Sequence, residues 1–100
     1  DALPIYSAFI GTGLEAYLHE HKINSLIIVG LTTDHCVSTS TRMAANLGFQ
    51  VTLVSDGTAT FERQFNGKQV SAEEMHTIHL ASLNEEFCAV TTTGEILTEF

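Results

Sequence analysis

The sequence predicts an α/β protein built on a parallel sheet. Three short apolar runs, each of the length of a buried strand, alternate with longer segments whose apolar residues recur at helical spacing. The connections are short, and the chain contains no internal repeat, low-complexity tract or linker. Helices and strands that alternate with short connections are typical of βαβ crossovers, which place the strands parallel to one another.

The first half of the chain is predicted to form helix, strand, helix and strand. The pattern Thr12-x-x-Glu15 is a capping box and predicts a helix that ends near Lys22. The following segments predict a strand over 25–29 that is buried on both faces, a helix that reaches Leu47, and a second strand over 50–54.

The second half is predicted to add one long helix and one strand. Ser71-x-x-Glu74 is a second capping box, and it begins a helix that ends near Phe87. Residues 88–91 form the third predicted strand, and residues 94–100 form a short tail.

Cys36 lies where the first strand ends and the next helix begins. Unpaired N–H groups and the positive end of the helix dipole favour the thiolate there, so Cys36 is a candidate nucleophile. The local sequence also allows a buried structural cysteine, which is the usual role of a free thiol. Cys88 lies at the start of an apolar run without capping residues before it, and it is predicted to be structural.

A specific motif surrounds Cys36. It consists of Gly30-Leu31-Thr32-Thr33-Asp34-His35-Cys36-Val37, followed by Thr41-Arg42-Met43-Ala44-Ala45, Gly48-Phe49 and the run from Val51 to Asp56. With Ser7-Ala8-Phe9 ahead of it, this pattern resembles the isochorismatase-like cysteine hydrolases, a superfamily that includes the nicotinamidases. The resemblance extends over about residues 6–97.

The resemblance implies a larger fold than this chain can form. The family fold is a Rossmann-like, three-layer α/β/α domain of about twice this length, and residues 1–100 resemble its second half, a single partial domain. Three strands are fewer than the usual four to six, and 16% charged residues is below the typical ~25%. We therefore expect an uncovered apolar face that associates with another copy or with the absent N-terminal segment.

The resemblance also implies a chemistry. Family members hydrolyse amides or related bonds with a cysteine, an aspartate and a lysine. The family's metal site, where one exists, belongs to the half that this chain does not match, so no cofactor is expected in residues 1–100. The nucleophile corresponds to Cys36, and the oxyanion donors correspond to the backbone N–H groups of Thr32 and Cys36, with a cis peptide bond between Leu31 and Thr32. The aspartate would precede residue 1, and Leu3 stands in place of the lysine.

Two functions of different class therefore stay open. One is a cysteine hydrolase that acts on a small-molecule amide or related substrate through Cys36. The other is a non-catalytic family member or fragment, without the aspartate and the lysine, that serves as a binding or assembly unit.

The polar residues beside Cys36 are predicted to have structural roles. Adjacent residues rarely point at one another, so Asp34, His35 and Cys36 do not predict a triad, and His35 is a weak candidate for a general base. Asp34 or Thr33 is expected to cap the helix.

Four other polar residues are also given structural roles. His76 and His79 share the i, i+3 spacing of a metal pair but have no third ligand, so an ordinary polar helix face without metal is predicted. Arg42 is expected to make structural hydrogen bonds. Asp56 is expected to bond N–H groups of its own turn.

Neither nearby lysine is expected to replace the family's lysine. Lys22 precedes the first strand and Cys36 follows it, which separates them by more than about 16 Å. Lys68 lies on the same side of the sheet as Cys36 but is predicted to be a solvated loop residue.

Composition and charge exclude some classes of partner. Four Lys and Arg residues against twelve Asp and Glu give a net charge of −8, which disfavours nucleic acid and anionic membranes. Neither an apolar run of about 18 residues nor a basic-then-apolar leader occurs in the sequence. Two cysteines in dissimilar settings predict free thiols and a cytoplasmic location.

Overall fold

The computed structural model describes residues 5–99. In chain order, these residues form α1 (Leu14–Glu20), β1 (Ser25–Leu31), a π-helical turn (Thr33–Val37), α2 (Ser38–Asn46), β2 (Gln50–Ala59), β3 (Arg63–Phe65), β4 (Lys68–Val70), α3 (Ala72–Leu83), β5 (Ala89–Thr91) and α4 (Thr93–Leu97). We call Thr33–Val37 the Cys36 turn. In the described part of the chain, no helix is long and apolar enough to cross a bilayer.

The main sheet is parallel and has the strand order β1-β2-β5, so β1 and β5 are its edges. Strands β3 and β4 form a separate antiparallel hairpin. The predicted α/β class with a parallel sheet is confirmed, because each pair of neighbouring parallel strands is joined by a segment that contains a helix.

One face of the sheet packs against helices and forms the core. Leu53 of β2 and Leu83 of α3 are fully buried at 0% exposure, and Ala44 of α2 is buried with them. The remaining buried members of this cluster are Leu18, Val37, Phe49, Val51 and Cys88. Residues 51 and 53 share one face of β2 because side chains alternate along a strand.

The other face of β1 is open in the described structure. Ile27, Val29 and Leu31 alternate along this edge strand and are 50%, 59% and 61% exposed. The prediction of a first strand over 25–29 that is buried on both faces is therefore wrong for Ile27 and Val29, because the neighbouring helices cover only the alternate positions. The expected uncovered apolar face is present on β1.

Strand β2 continues five residues beyond its predicted end. Its register with β1 shifts, so that Ile28 pairs with Leu53 but Gly30 pairs with Thr58. Gly57 allows this bend, because a Cβ there would lie 2.8 Å from Cγ1 of Val29. The sequence Ser-Asp-Gly at 55–57 indicates a turn, yet the strand resumes after it and runs beside the end of β1.

The hairpin and α4 were not predicted. Asn66 and Gly67 join β3 to β4 with φ values of 54° and 77°, and Asn-Gly is a strong signal for such a hairpin. Helix α4 lies largely in the predicted tail and is capped by Thr92, whose Oγ1 accepts from the N–H of Glu95 at 3.2 Å. Both signals are local and present in the sequence.

Of the two predicted capping boxes, only the one at Ser71 forms in the structure. Oγ of Ser71 accepts from the N–H of Glu74 at 3.1 Å, which confirms the start of α3. Helix α1 instead begins after Gly13, and the hydroxyl of Thr12 donates to the carbonyl of Ala8 at 2.6 Å. The first box is not formed, because Thr12 belongs to the preceding turn.

Candidate active site

The Cys36 turn follows the carboxyl end of β1, the edge at which open parallel sheets bind ligands. Cys36 is partly exposed there. The peptide bond between Leu31 and Thr32 is cis. The carbonyl of Thr32 accepts from the N–H groups of His35 at 3.2 Å and Val37 at 3.0 Å, and these bonds close the turn around Cys36.

The carboxylate of Asp34 is buried and held by groups from the chain beyond β2. Its side chain is 4% exposed and accepts from Oγ1 of Thr60 at 2.5 Å and from Nε of Arg63 at 3.0 Å. Burial alone would raise the pKa of Asp34, but these hydrogen bonds outweigh it and hold the pKa well below its usual range. The predicted capping role is wrong, because the carboxylate binds a guanidinium in place of helix N–H groups.

The ring of His35 faces outward between two other side chains. Its centroid lies 5.4 Å from that of Tyr6, and its Nδ1 lies 3.4 Å from Nη2 of Arg63. Among the hydrogen bonds of residues 5–99, none joins His35 to Cys36. Nε2 of His35 lies 3.7 Å from Oδ2 of Asp34, so these adjacent side chains do approach each other, contrary to the expectation from the sequence. Without a bond from His35 to Cys36, the three residues do not form a triad.

Thr33 and His76 form a buried polar contact. Thr33 is fully buried, and its Oγ1 lies 2.7 Å from Nδ1 of His76, whose Nε2 lies 2.9 Å from the backbone oxygen of Ser55. The prediction that His76 belongs to an ordinary polar helix face is wrong, because its ring binds Thr33 and Ser55. The predicted capping role of Thr33 is also wrong, because its hydroxyl binds His76. Within the described chain, no cluster of three His, Cys, Asp or Glu side chains has the geometry of a metal site.

Arg42 and Asp56 both make hydrogen bonds that join elements of the fold. Only Arg42 has the kind of partner that the sequence predicted. Arg42 of α2 donates to Oγ of Ser82 in α3 at 3.0 Å, and its guanidinium lies 4.6 Å from the ring centre of Phe87. Asp56 accepts from the N–H and the hydroxyl of Thr93, both at 2.8 Å, so its partner lies in α4 and not in its own turn. These bonds lower the pKa of Asp56.

Neither lysine lies in the Cys36 turn. Lys22 precedes β1, and the seven residues of that strand separate it from the turn by about 20 Å. Lys68 is exposed, as predicted, but lies in strand β4 rather than in a loop. Leu3, which the resemblance aligns with the family's lysine, lies outside the described residues.

Cys88 has a different environment from Cys36. It is 9% exposed within the core cluster, and its Sγ lies 3.6 Å from the carbonyl oxygen of Leu83. Burial raises the pKa of this thiol. These contacts agree with the predicted structural role.

Sequence reasoning missed Thr60 and Arg63. They lie 26 and 29 residues after Asp34, so no local pattern connects them to the Cys36 turn. The Asn-Gly pair at 66–67 predicts a hairpin, and this signal could have placed Arg63 in a strand and not in a loop.

The parallel sheet and a thiol at its carboxyl edge define a Rossmann-like α/β protein with a candidate cysteine site. Comparison with known proteins specifies the family. Residues 4–95 match the Isochorismatase domain, and the chain belongs to the isochorismatase family.

Relatives in this family include both named enzymes and solved structures. The chain is 46% identical to the isochorismatase family protein YrdC of Bacillus subtilis, over 96% of this chain and 52% of that protein. It is 40% identical to the nicotinamidase of Escherichia coli, over 52% of this chain and 27% of that protein.

The solved structures support the same assignment. An isochorismatase-family structure from Chromobacterium violaceum has a TM-score of 0.91 and 43% identity, and it covers 97% of this chain and 51% of that one. A cysteine hydrolase from Pseudomonas syringae has a TM-score of 0.90 and 29% identity, with 96% and 46% covered. The chain thus spans about half the length of these relatives.

Proposed function

We propose that the full-length protein is a cysteine hydrolase of small amides or related acyl compounds, with Cys36 as its nucleophile. The observation that carries this proposal is the position of Cys36, partly exposed in a helical turn at the carboxyl edge of a parallel sheet. The proteins named as nicotinamidases among the relatives support a substrate of the nicotinamide type.

The proposed reaction has two steps. The sulfur of Cys36 attacks the amide carbon, which forms a C–S bond and places negative charge on the carbonyl oxygen. The C–N bond then breaks, and the amine leaves with the proton that the thiol gave up. Water attacks the resulting thioester, releases the carboxylic acid and restores the thiol.

The backbone N–H groups of Thr32 and Cys36 are the proposed donors to the oxyanion. Thr32 and Cys36 lie on either side of residues 33–35. The carbonyl of Thr32 accepts from the N–H groups of His35 and Val37, and these bonds close the turn that contains both donors. The resemblance assigns proton transfer to an aspartate and a lysine that have no matching residue in this chain. We therefore expect residues 1–100 alone to lack turnover, since general acid–base catalysis contributes about 10²- to 10⁴-fold.

The open face of β1 supports the second candidate, a binding or assembly role. Ile27, Val29 and Leu31 present a row of exposed apolar side chains on an edge strand. We propose that the N-terminal part of the full-length protein, or a second copy, covers this row. The unpaired thiols of Cys36 and Cys88 support a reducing, cytoplasmic location.

Ammonia release from nicotinamide and a panel of small primary amides tests the hydrolase. In the full-length protein, we expect Cys36→Ala to lose turnover by about 10⁴-fold or more, because the nucleophile is removed. Mass spectrometry of acid-quenched enzyme should detect an acyl group on Cys36.

Cys88→Ala is the matched control and should retain turnover. Hydrolysis that survives in Cys36→Ala would exclude Cys36 as nucleophile. A full-length protein that hydrolyses none of the amides would favour the binding or assembly role.

A further inference from the structure

The imidazole of His76 joins three elements around the candidate site. His76 lies in α3, Thr33 begins the Cys36 turn, and Ser55 lies in β2. Nδ1 of His76 is 2.7 Å from Oγ1 of Thr33, and its Nε2 is 2.9 Å from the carbonyl oxygen of Ser55. One side chain therefore connects the turn to a helix and to the central strand of the sheet.

The carbonyl partner fixes the direction of one of these hydrogen bonds, and the direction of the other follows for a neutral ring. A carbonyl oxygen only accepts, so Nε2 of His76 carries a proton and donates to Ser55. In the neutral ring, Nδ1 then accepts from the hydroxyl of Thr33. The hydroxyl of Thr33 is thus bound to the ring of His76.

Thr33 lies where its hydrogen bond to His76 can affect the proposed oxyanion donors. Thr33 is fully buried and lies between Thr32 and Cys36, the two residues whose N–H groups are the proposed oxyanion donors. A buried hydroxyl without a partner is unfavourable, so the bond to His76 holds the backbone of Thr33 in place.

We propose that His76 is a positioning residue for the reaction at Cys36. It acts through Thr33 and keeps the N–H groups of Thr32 and Cys36 directed at one point. This inference rests on the proposed function, because stabilising a tetrahedral intermediate requires both donors at once. Alkylation of the same thiol requires neither donor.

Turnover by the full-length protein, compared with alkylation, tests this role. We expect His76→Phe and Thr33→Val each to lower kcat by about 10- to 100-fold, the effect of a small misplacement of reacting groups. KM and the rate at which iodoacetamide alkylates Cys36 should change little. A loss of fold would instead expose Cys88 to iodoacetamide, and a loss of access to Cys36 would slow alkylation of that thiol.

Two further variants provide the controls. Thr33→Ser keeps the hydroxyl and should restore kcat, whereas Thr33→Val keeps the shape without it. His79→Phe makes the same substitution one turn further along α3 and should behave like the wild type.

Amide hydrogen exchange tests the proposal without turnover. Loss of one buried hydrogen bond should speed exchange of the amides in residues 33–37 by about fivefold in His76→Phe and Thr33→Val. Exchange there should be unchanged in His79→Phe and Thr33→Ser.

Three results would overturn the role of His76. They are unchanged exchange in residues 33–37 of His76→Phe, a kcat of His76→Phe equal to that of the wild type, or an equal loss of kcat in Thr33→Ser and Thr33→Val. Turnover that persists in Cys36→Ala would contradict the proposed function instead, and the exchange measurement would still decide the role of His76.

Discussion

Cys36 and Cys88 lie at opposite ends of the same parallel sheet. Cys36 follows the carboxyl end of β1, in a turn whose neighbouring side chains are bound to Arg63 and His76. Cys88 precedes the amino end of β5 and is buried in the apolar core. The two thiols differ because polar contacts hold the turn at one end of the sheet in place, whereas apolar burial stabilises the other end.

Alkylation should show the largest difference between the two regions. With limiting iodoacetamide at neutral pH, we expect Cys36 to react at least about 10²-fold faster than Cys88. A core thiol is reached only in unfolded molecules, which are a fraction of roughly 10⁻³ or less. Peptide mass mapping measures the rates, and Cys36→Ala should remove the fast phase. Equal labelling of both cysteines would contradict the comparison.

Truncation of a core side chain should weaken the apolar region strongly. Leu83 is fully buried next to Cys88, and Leu83→Ala should lower the free energy of unfolding by about 2–5 kcal/mol through the cavity it leaves. Leu97→Ala makes the same change at a side chain that is 66% exposed and should cost at most about 0.5 kcal/mol. Urea unfolding measures both, and similar costs would show that α3 is not packed as described.

Removal of the charge on Asp34 should have a smaller effect, and one that depends on pH. Asp34→Asn should lower the free energy of unfolding by about 1–3 kcal/mol at pH 7, because Arg63 loses its buried acceptor. The folded-state pKa of Asp34 lies below its ordinary value of about 3.9. The stabilisation is therefore complete above that value and declines as the pH falls below it.

Urea unfolding at pH 7 and at about pH 3 measures this dependence. The difference between wild type and Asp34→Asn should shrink at the lower pH. Glu86→Gln, at an exposed carboxylate, is the control and should leave stability nearly unchanged. A difference that stays constant with pH would show that the carboxylate of Asp34 is not bound as a charge.

The correctly predicted features of the fold have determinants that lie close together in the sequence. The apolar runs, the helical spacing and the Ser71 box are each contained in about a dozen residues, and they correctly predicted the parallel α/β class and the start of α3. The hairpin and α4 also have local signals. Asn66-Gly67 favours a tight hairpin turn, and Thr92 caps α4, so residues within a few positions predict both elements.

The location of Cys36 at the end of a strand was likewise predictable from the sequence. The motif around it also identified the family, which the match over residues 4–95 shows. The roles of Thr33, Asp34 and His76 were predicted wrongly, because each was assigned a local partner such as a helix N–H or the solvent.

Sequence by itself thus determined the class of fold, the family and the place of the thiol, since short-range periodicity and a contiguous motif specify them. Only the tertiary structure decided what holds the Cys36 turn. Thr33 binds His76 across 43 residues, and Asp34 binds Arg63 across 29. A buried polar group takes whichever partner the folded backbone brings within hydrogen-bond distance, and here the bend of β2 and the packing of α3 bring those partners to the turn.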